Sequence, residues 1–241
     1  MNNNLKIVAL IPARSGSKGI LHKNIKEYSN IPLICHSIKI AKESNYIDDI
    51  IVTTDSEEYK EICEQNGAKC PFLRPKSISG DLSTDYEFIK HYIQWMQLHD
   101  NKNVPNLIVQ LRPTYPNRKI SDLNECIQIM IKNEEYTSLR TIIPYEKSPY
   151  KMYTISDNIL NPLFEEINGL QEPYNRCRQD LPNAYLHNGC IDIIRVSSFQ
   201  KYNSITGPKI YPYIMNKDEI NDIDSLEDWV KSETAFHKFR Q

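Results

Sequence analysis

The sequence predicts an α/β fold built on an open, mostly parallel sheet that is flanked by helices. Short apolar segments alternate with amphipathic segments of helical length, and several of the apolar segments stop at a proline. No low-complexity linker or internal repeat divides the chain. We therefore predict a single domain over residues 1–241, with residues 144–182 as an element inserted into it.

Strands are predicted where a short apolar segment is bounded by turn residues. They cover residues 5–11, 49–53, 68–72, 106–111, 139–143 and 190–195. Helices are predicted where apolar residues recur at helical spacing. They cover residues 32–44, 55–67, 84–97, 121–131 and 225–239. Asp55 with Glu58, and Thr84 with Glu87, are expected to cap the starts of two of these helices.

Residues 144–182 break the alternation of strands and helices. Proline and tyrosine become frequent there, and two alternating segments, 150–155 and 159–164, flank the turn residues 156–158. This pattern is typical of a β-hairpin. The inserted element is expected to form a contact between two copies of the chain, a lid, or both.

Composition and charge exclude several classes of protein. The chain has 29 Lys and Arg residues against 31 Asp and Glu residues, a net charge of -2, so a general nucleic-acid binder is not expected. No apolar segment approaches the ~20 residues of a membrane span, and residues 1–6 lack an apolar signal core. The six cysteines are scattered without zinc-ligand spacing, so we expect free thiols in a cytoplasmic protein.

The segment after the first predicted strand combines small residues with cations. Its members are Arg14, Ser15, Gly16, Ser17, Lys18, Gly19, Lys23 and Asn24. Glycines let backbone N–H groups approach an anion closely, and the basic side chains neutralise its charge. The spacing fits neither GxxxxGK[ST] nor GxGxxG. A solvated basic turn is the alternative, but the carboxyl end of a buried strand is where open sheets bind ligands.

A pair of aspartates near the end of the chain forms a second candidate site. In an extended segment, Asp222 and Asp224 would point to the same side, with Cα atoms about 6.5–7 Å apart. Two such carboxylates together with phosphate oxygens suit Mg²⁺. The alternative is that Asp224 with Glu227 caps the last helix, and the spacing leaves both interpretations open.

Two further segments carry polar residues that suit a substrate pocket. In the first, Arg178 and Gln179 are followed by His187 and Asn188 ahead of a strand, which is equally compatible with a surface loop. In the second, residues 111–118 follow a predicted strand at its carboxyl end, where ligands bind in open sheets. A guanidinium in such a place is suited to a carboxylate or a phosphate.

Taken together, these segments resemble the acylneuraminate cytidylyltransferases, also called CMP-sialic acid synthetases. The matching pieces occur in family order and span about residues 7 to 230. They are residues 11–19 with Lys23 and Asn24, residues 53–56, Arg74 with Pro75, residues 112–118, Arg178 with Gln179, Asn188 with Gly189, and residues 222–224.

The resemblance implies a Rossmann-like nucleotidyltransferase fold and a homodimer that forms through the inserted element. It also implies an Mg²⁺-dependent enzyme whose partners are CTP and an acidic sugar. CMP would pass from CTP to the anomeric hydroxyl of a nonulosonic acid, of the sialic or legionaminic type, and pyrophosphate would leave.

The resemblance further assigns roles to individual residues. The nucleotide side comprises Arg14, Ser15, Gly16, Ser17, Lys18, Lys23, Asn24, Arg74 and Asp81. The sugar-acid side comprises Arg112, Arg178, Gln179, Tyr185 and Asn188. Asp222 and Asp224 would bind the metal. In catalysis, Arg14 and Lys18 would neutralise charge, while Asp222 or a hydroxide on the metal would take the proton.

Two positions depart from the family pattern. Arg112 stands where the family often has glutamine, and Tyr115 replaces a serine. An added cation on the sugar side keeps other acidic acceptors open, such as an eight-carbon keto sugar acid or a phosphonate. A nucleotide-binding module without turnover is a further alternative, although it would not need the Asp222 and Asp224 pair.

Overall fold

The computed structural model describes residues 5–216 and 222–238, and the chain divides into two compact units. The first unit comprises residues 1–141, 189–213 and 221–241. The second comprises residues 142–188 and 214–220, and it includes the segment predicted as an insertion. The predicted end of the last helix, residue 239, lies outside the described residues.

The strands of the described residues include all those predicted except residues 68–72, together with five that were not predicted, at residues 27–28, 31–32, 166–167, 170–171 and 210–214. The strands are β1 (Ile7–Pro12), β2 (Glu27–Tyr28), β3 (Ile31–Pro32), β4 (Asp49–Thr53), β5 (Leu107–Gln110), β6 (Ser138–Tyr145), β7 (Tyr153–Ser156), β8 (Ile159–Pro162), β9 (Glu166–Ile167), β10 (Leu170–Gln171), β11 (Ala184–Arg195) and β12 (Ile210–Ile214). The main sheet has the order β12-β6-β11-β5-β1-β4. In it β1 is parallel to both β4 and β5, whereas β11 is antiparallel to β5.

Five of the α-helices in the described residues lie where the hydrophobic spacing predicts them, and the one at residues 196–202 was not predicted. The α-helices are α1 (Leu33–Glu43), α2 (Glu57–Gln65), α3 (Asp85–His99), α4 (Ile120–Lys132), α5 (Val196–Tyr202) and α6 (Leu226–Lys238). The predicted fold class, an open and mainly parallel sheet flanked by helices, is confirmed. Among the described residues, no helix combines the length and apolarity needed to cross a membrane.

A small aromatic cluster fixes α6 beside the basic turn, which is the name used here for residues 14–24. Ile20 of that turn packs with Tyr28, Leu33, Trp229 and Phe236, all of which are buried. The Tyr28 ring meets the rings of Trp229 and Phe236 edge-on, with centroids 5.4 and 5.6 Å apart. Burying each large apolar side chain is worth about 1.5–3 kcal/mol. This packing holds the segment that precedes α6 close to the end of β1.

Three local predictions are wrong in detail. The N-cap of α2 is Ser56, whose side chain accepts a hydrogen bond from the Tyr59 backbone N–H, because the Asp55 carboxylate is engaged elsewhere. Residues 68–72 contain one isolated bridge, between Lys69 and Ile51, instead of a strand. The strand predicted from residue 190 begins at Ala184, so Tyr185 and Asn188 lie within β11 rather than in a loop.

The hairpin predicted in the second unit is confirmed. Strands β7 and β8 pair in antiparallel register. Asp157 and Asn158 form the connection with φ values of 51° and 61°. Positive φ at both central residues is the requirement of a two-residue hairpin turn, and Asp and Asn tolerate that conformation.

Candidate active site

A cleft of about 360 Å³ lies in the first unit, at the carboxyl ends of the parallel strands β1 and β5. Its walls are formed by Pro12, Arg14, Ser17, Lys18, Gly19, Lys23, Asn24, Arg74, Ser83, Asp85, Phe88, Arg112, Pro113, Thr114 and Asp224. Five of these residues are cationic and two are acidic. The surplus of positive charge suits a ligand with several negative charges.

The basic turn after β1 is closed by its own side chains. The Asn24 side chain donates a hydrogen bond to the Arg14 carbonyl at 3.0 Å. The side chains of Arg14 and Lys18 both pair with the Asp81 carboxylate, at 2.6 and 2.5 Å. The hydrogen bond from Lys18, and after it the one from Arg14, lowers the pKa of Asp81 below its ordinary value. The three charged side chains therefore form one ion-pair cluster beside the cleft.

The basic turn and the acidic segment of residues 222–224 are in direct contact, although 200 positions separate them. Lys23 Nζ donates to the Ile223 carbonyl at 2.6 Å and pairs with Asp224 Oδ1 at 3.1 Å. A Cβ atom added at Gly19 would lie 2.3 Å from the Asp224 carbonyl oxygen. Only glycine allows so close an approach of two backbones. Arg14 and Asp224 consequently share one cleft.

Thr114 holds the other side of the acidic segment. The Ile223 backbone N–H donates to the Thr114 carbonyl at 3.0 Å, and the Thr114 side chain hydrogen-bonds to Asp222. Desolvation by the surrounding protein atoms raises the pKa of Asp222. The Thr114 hydrogen bond opposes this shift, and the charge of Asp224 adds to it.

The prediction that Asp224 and Glu227 cap the last helix is wrong. Ser225 and Asp228 form that cap: the Asp228 carboxylate accepts from the Ser225 backbone N–H at 2.9 Å, and Asp228 N–H donates to Ser225 Oγ at 3.2 Å. Glu227 pairs with Lys231 on the surface of the helix. The Asp224 side chain is thus not used for capping and lines the cleft.

Arg74 occupies a buried position on the cleft wall. Its Nε donates to Thr53 Oγ1 at 3.1 Å, and its guanidinium lies 5.0 Å from the centre of the Phe88 ring. Burial lowers the pKa of Arg74 to about 10, so the side chain keeps its charge at neutral pH. Hydrogen bonds to the end of β4 fix its orientation toward the cleft.

Arg112 lies in the cleft wall, but its charge is compensated within the protein. Its guanidinium pairs with Asp85 and with Asp192, the latter at 2.6 Å, and donates to the Gly189 carbonyl. The departure from the family's glutamine therefore comes with two internal carboxylate partners. The expectation that Arg112 meets an anionic group of the acceptor stays a prediction, and these pairs compete with it.

The remaining residues predicted for the sugar-acid side belong to the second unit. Arg178 and Gln179 are exposed in a short 3₁₀ helix, Arg178–Asp180. Tyr185 is 46% exposed, whereas Asn188 is buried with its side-chain amide 3.3 Å from Met215 Sδ. Their role in binding a substrate stays a prediction.

Sequence reasoning missed several residues of the cleft. Asp85, Phe88 and Thr114 line it, yet none was singled out. Position within an element was the available signal for two of them. Asp85 is the first residue of α3 after a capping box, and Thr114 comes shortly after the end of β5. Phe88 carried no signal of its own, because an apolar residue at helical spacing is normally a core residue.

The donor set at the acidic segment fits a hard cation. Asp224 supplies a carboxylate to the lining of the cationic cleft, whereas Asp222 does not line it and hydrogen-bonds to Thr114 of the cleft wall. Mg²⁺ is commonly bound by one or two carboxylates together with substrate phosphates. Across residues 5–216 and 222–238, no group of three or more acidic, histidine or cysteine side chains is placed to hold a metal. A dedicated all-protein cage is therefore not the arrangement found in these ranges.

Comparison with known protein families assigns the sequence to one of them. The family model described as Cytidylyltransferase matches residues 8–176, most of the chain. The chain belongs to the cytidylyltransferase family. The resemblance noted from the motifs is thereby confirmed, and the matched segment includes the basic turn, Asp55, Arg74, Asp81 and Arg112.

Two relatives illustrate the range within the family. The chain is 32% identical over 228 residues to an N-acylneuraminate cytidylyltransferase of Streptococcus agalactiae, which covers 94% of this chain and 52% of the relative. It is 29% identical over 240 residues to a CMP-N,N'-diacetyllegionaminic acid synthase of Legionella pneumophila, with 95% of each covered. The chain therefore spans about half the length of the streptococcal relative.

A solved structure with much lower sequence identity confirms the fold. A CMP:2-keto-3-deoxy-manno-octonic acid synthetase complexed with CTP is similar over 97% of this chain and 99% of its own, with a TM-score of 0.69 and 15% identity. At that level of identity the likeness concerns the fold alone. It agrees with the predicted nucleotidyltransferase architecture.

Proposed function

We propose that this protein transfers CMP from CTP to the anomeric hydroxyl of a nonulosonic acid, of the sialic or legionaminic type, and releases pyrophosphate. The observation that carries the proposal is the contact between Lys23 of the basic turn and Asp224 of the acidic segment in one cleft. Membership of the cytidylyltransferase family supports CTP as the donor. The names of the relatives support the class of acceptor.

The cationic side of the cleft suits the triphosphate. Attack on the α-phosphorus requires that the negative charge of the phosphates be neutralised, and fixed cations in a preorganised site do this effectively. Arg14, Lys18 and Lys23 would bind phosphate oxygens. Because Arg14 and Lys18 pair with Asp81, the incoming triphosphate would take the place of that carboxylate.

The acidic side of the cleft suits a divalent cation and a proton acceptor. We propose that Asp222 and Asp224 hold Mg²⁺, which would offset phosphate charge and orient the phosphate oxygens when bound. As the anomeric oxygen bonds to the α-phosphorus, the bond to the pyrophosphate oxygen breaks, and the Asp222 carboxylate would take the hydroxyl proton. Arg178 would bind the acceptor carboxylate.

Turnover with a panel of acceptors tests the proposal. We expect pyrophosphate release when CTP and Mg²⁺ are combined with N-acetylneuraminic acid or N,N'-diacetyllegionaminic acid, and little release with ATP, GTP or UTP. Omission of Mg²⁺ should abolish it. Turnover with 2-keto-3-deoxy-manno-octonic acid alone would favour the eight-carbon acceptor instead. Binding of CTP without pyrophosphate formation, with every acid supplied, would favour a binding module and contradict an enzyme.

We propose in addition that the protein is a homodimer joined through residues 144–182. The hairpin of the second unit carries large apolar side chains that are exposed: Ile155 is 76% exposed, Ile159 62% and Leu160 59%. Ile155 and Leu160 are paired across the hairpin and therefore share one of its faces. Neighbouring exposed apolar groups of this kind mark association surfaces. The free cysteines, together with a CTP-dependent reaction, support a location in the cytoplasm.

Charge substitutions on the hairpin test the dimer. In analytical ultracentrifugation, we expect the unaltered chain to sediment as a dimer and the Ile155→Lys/Leu160→Lys variant, which places both charges on one face of the hairpin, to sediment as a monomer. Leu98→Lys provides the control, because Leu98 is 83% exposed on α3 in the first unit. A dimer that survives the double substitution would contradict the assignment of the interface to the hairpin.

A further inference from the structure

Ser15, the residue after Arg14 in the basic turn, is held by the carboxylate of Asp55, to which no role has been assigned. The Ser15 backbone N–H donates to Asp55 Oδ1 at 2.8 Å, and the Ser15 hydroxyl donates to Asp55 Oδ2 at 2.9 Å. Both contacts are partly buried. One carboxylate thus accepts from both donors of a single residue, and a charged acceptor makes such hydrogen bonds shorter and stronger than neutral ones.

The backbone around Asp55 is well supported. Asp55 follows the end of β4, which runs parallel to β1 with Pro12 opposite Thr53. The Ala13 N–H donates to the Thr53 carbonyl at 3.0 Å, so the pairing continues one residue beyond β1. The carboxylate is therefore attached to a sheet edge rather than to a mobile loop. It reaches across to the turn at the point where the turn leaves the sheet.

The contact leaves Ser15 little capacity to bind a ligand. Its N–H and its hydroxyl proton are both donated to Asp55, and its carbonyl accepts from the Ser17 N–H at 3.0 Å. The residues on either side of Ser15 and Gly16, namely Arg14 and Ser17, line the cleft, whereas Ser15 and Asp55 do not. Ser15 thus serves to hold the turn in place.

We propose that Asp55 is a positioning residue: by binding both donors of Ser15 it sets where Arg14, Ser17 and Lys18 face the triphosphate. This inference rests on the proposed function. Asp55 itself does not touch the nucleotide. These two hydrogen bonds explain why the Asp55 carboxylate is tolerated next to a phosphate site, because both of its oxygens face hydrogen-bond donors of the turn.

The choice of a carboxylate has a physical reason. An ionised aspartate accepts on both oxygens, whereas an asparagine offers one acceptor and one donor group. In Asp55→Asn, the oxygen would keep the Ser15 N–H, and the amide would have to donate to the Ser15 hydroxyl oxygen. Partial rescue by asparagine is therefore expected, and no rescue by alanine.

Steady-state kinetics test the role. We expect Asp55→Ala to raise KM for CTP by about 10-fold, the equivalent of about 1.4 kcal/mol, while KM for the sugar acid changes less than about 2-fold. Asp55→Asn should fall between this variant and the unaltered protein. Ser15→Ala removes only the hydroxyl hydrogen bond and should raise KM for CTP less than Asp55→Ala does. The double variant Ser15→Ala/Asp55→Ala should resemble Asp55→Ala, because Asp55→Ala already removes the hydrogen bond that Ser15→Ala breaks.

Asp100→Ala is the matched control. The Asp100 carboxylate also accepts hydrogen bonds on both oxygens, from the Asn103 side chain, and it does not line the cleft. We expect its kinetics to stay unchanged. An unaltered KM for CTP in folded Asp55→Ala would overturn the inference and leave the proposed function intact. Additive effects of Ser15→Ala and Asp55→Ala would overturn it as well.

Limited trypsin digestion tests the same inference without turnover. Two of the trypsin sites in the turn, after Arg14 and after Lys18, flank the segment that Ser15 begins. We expect cleavage at these sites to be several-fold faster in Asp55→Ala than in Asp100→Ala, with equal thermal melting of the two variants. Equal cleavage rates would overturn the positioning role. If the unaltered protein releases no pyrophosphate, the proposed function fails, and the digestion still decides whether Asp55 orders the turn.

Discussion

Gly19→Ala is expected to reduce pyrophosphate release at least about 100-fold. The added Cβ would lie 2.3 Å from the Asp224 carbonyl oxygen, so the basic turn and the acidic segment would have to separate by about 1 Å. A misplacement of about 1 Å in a reacting geometry costs roughly 10²-fold in rate. The substitution changes the relative placement of the two segments and removes no charged group.

Gly80→Ala is the control for this substitution. A Cβ at Gly80 would meet only Ser83 Oγ, at an ordinary 3.9 Å, and we expect turnover and melting temperature to stay close to those of the unaltered protein. Measured rates for Gly19→Ala within about 2-fold of the unaltered protein would contradict the contact between the two segments as a requirement for the reaction.

Asp224→Ala is expected to reduce kcat by about 10²–10³-fold at saturating CTP and Mg²⁺, the range found when one stabilising group is removed from a preorganised site. Asp224 lines the cleft and pairs with Lys23, so the substitution removes a carboxylate that faces the proposed metal and phosphates. The measurement is pyrophosphate release with the best acceptor of the panel.

Glu227→Ala provides the control, because it removes a nearby acid of helix α6 that pairs with Lys231 on the surface of that helix. Exposed pairs of this kind contribute about 0–1 kcal/mol, so we expect normal kcat. Full turnover by Asp224→Ala at saturating Mg²⁺ would remove Asp224 from the metal role.

The fold and the meeting of the two charged segments were predictable from the sequence. Buried strands that stop at prolines predicted the parallel sheet, and parallel strands place their carboxyl ends at one edge. The family motifs placed residues 14–24 and 222–224 around one polyphosphate. The contacts of Lys23 with Ile223 and Asp224 agree with that expectation.

Competition between equivalent polar partners was not predictable. Asp55 and Glu58 have the spacing of a cap, but the Asp55 carboxylate gains two donors from Ser15 at the neighbouring strand end, and Ser56 caps α2 in its place. Asp224 and Glu227 have similar spacing, yet Ser225 with Asp228, one position later, forms the cap. A local pattern cannot show which partner arrives from a distant segment.

The environment of Arg112 depends in the same way on distant residues. The sequence indicated an added cation on the substrate side, but Asp85 and Asp192, 27 and 80 positions away, neutralise it. The three residues come together because Asp192 within β11 lies opposite Gln110 at the end of β5, and Asp85 is the first residue of α3. The resemblance alone identified the position without its partners.

The most direct test of the account is a double-mutant cycle in which CTP binding is measured by calorimetry in the presence of Mg²⁺. The four proteins are the unaltered chain, Arg14→Ala, Asp224→Ala and the double variant. If both segments act on one triphosphate, each single substitution weakens CTP binding. The loss of binding free energy in the double variant then differs from the sum of the two single losses by about 0.5 kcal/mol or more. Losses that add, or unchanged binding in either single variant, would contradict the shared polyphosphate site.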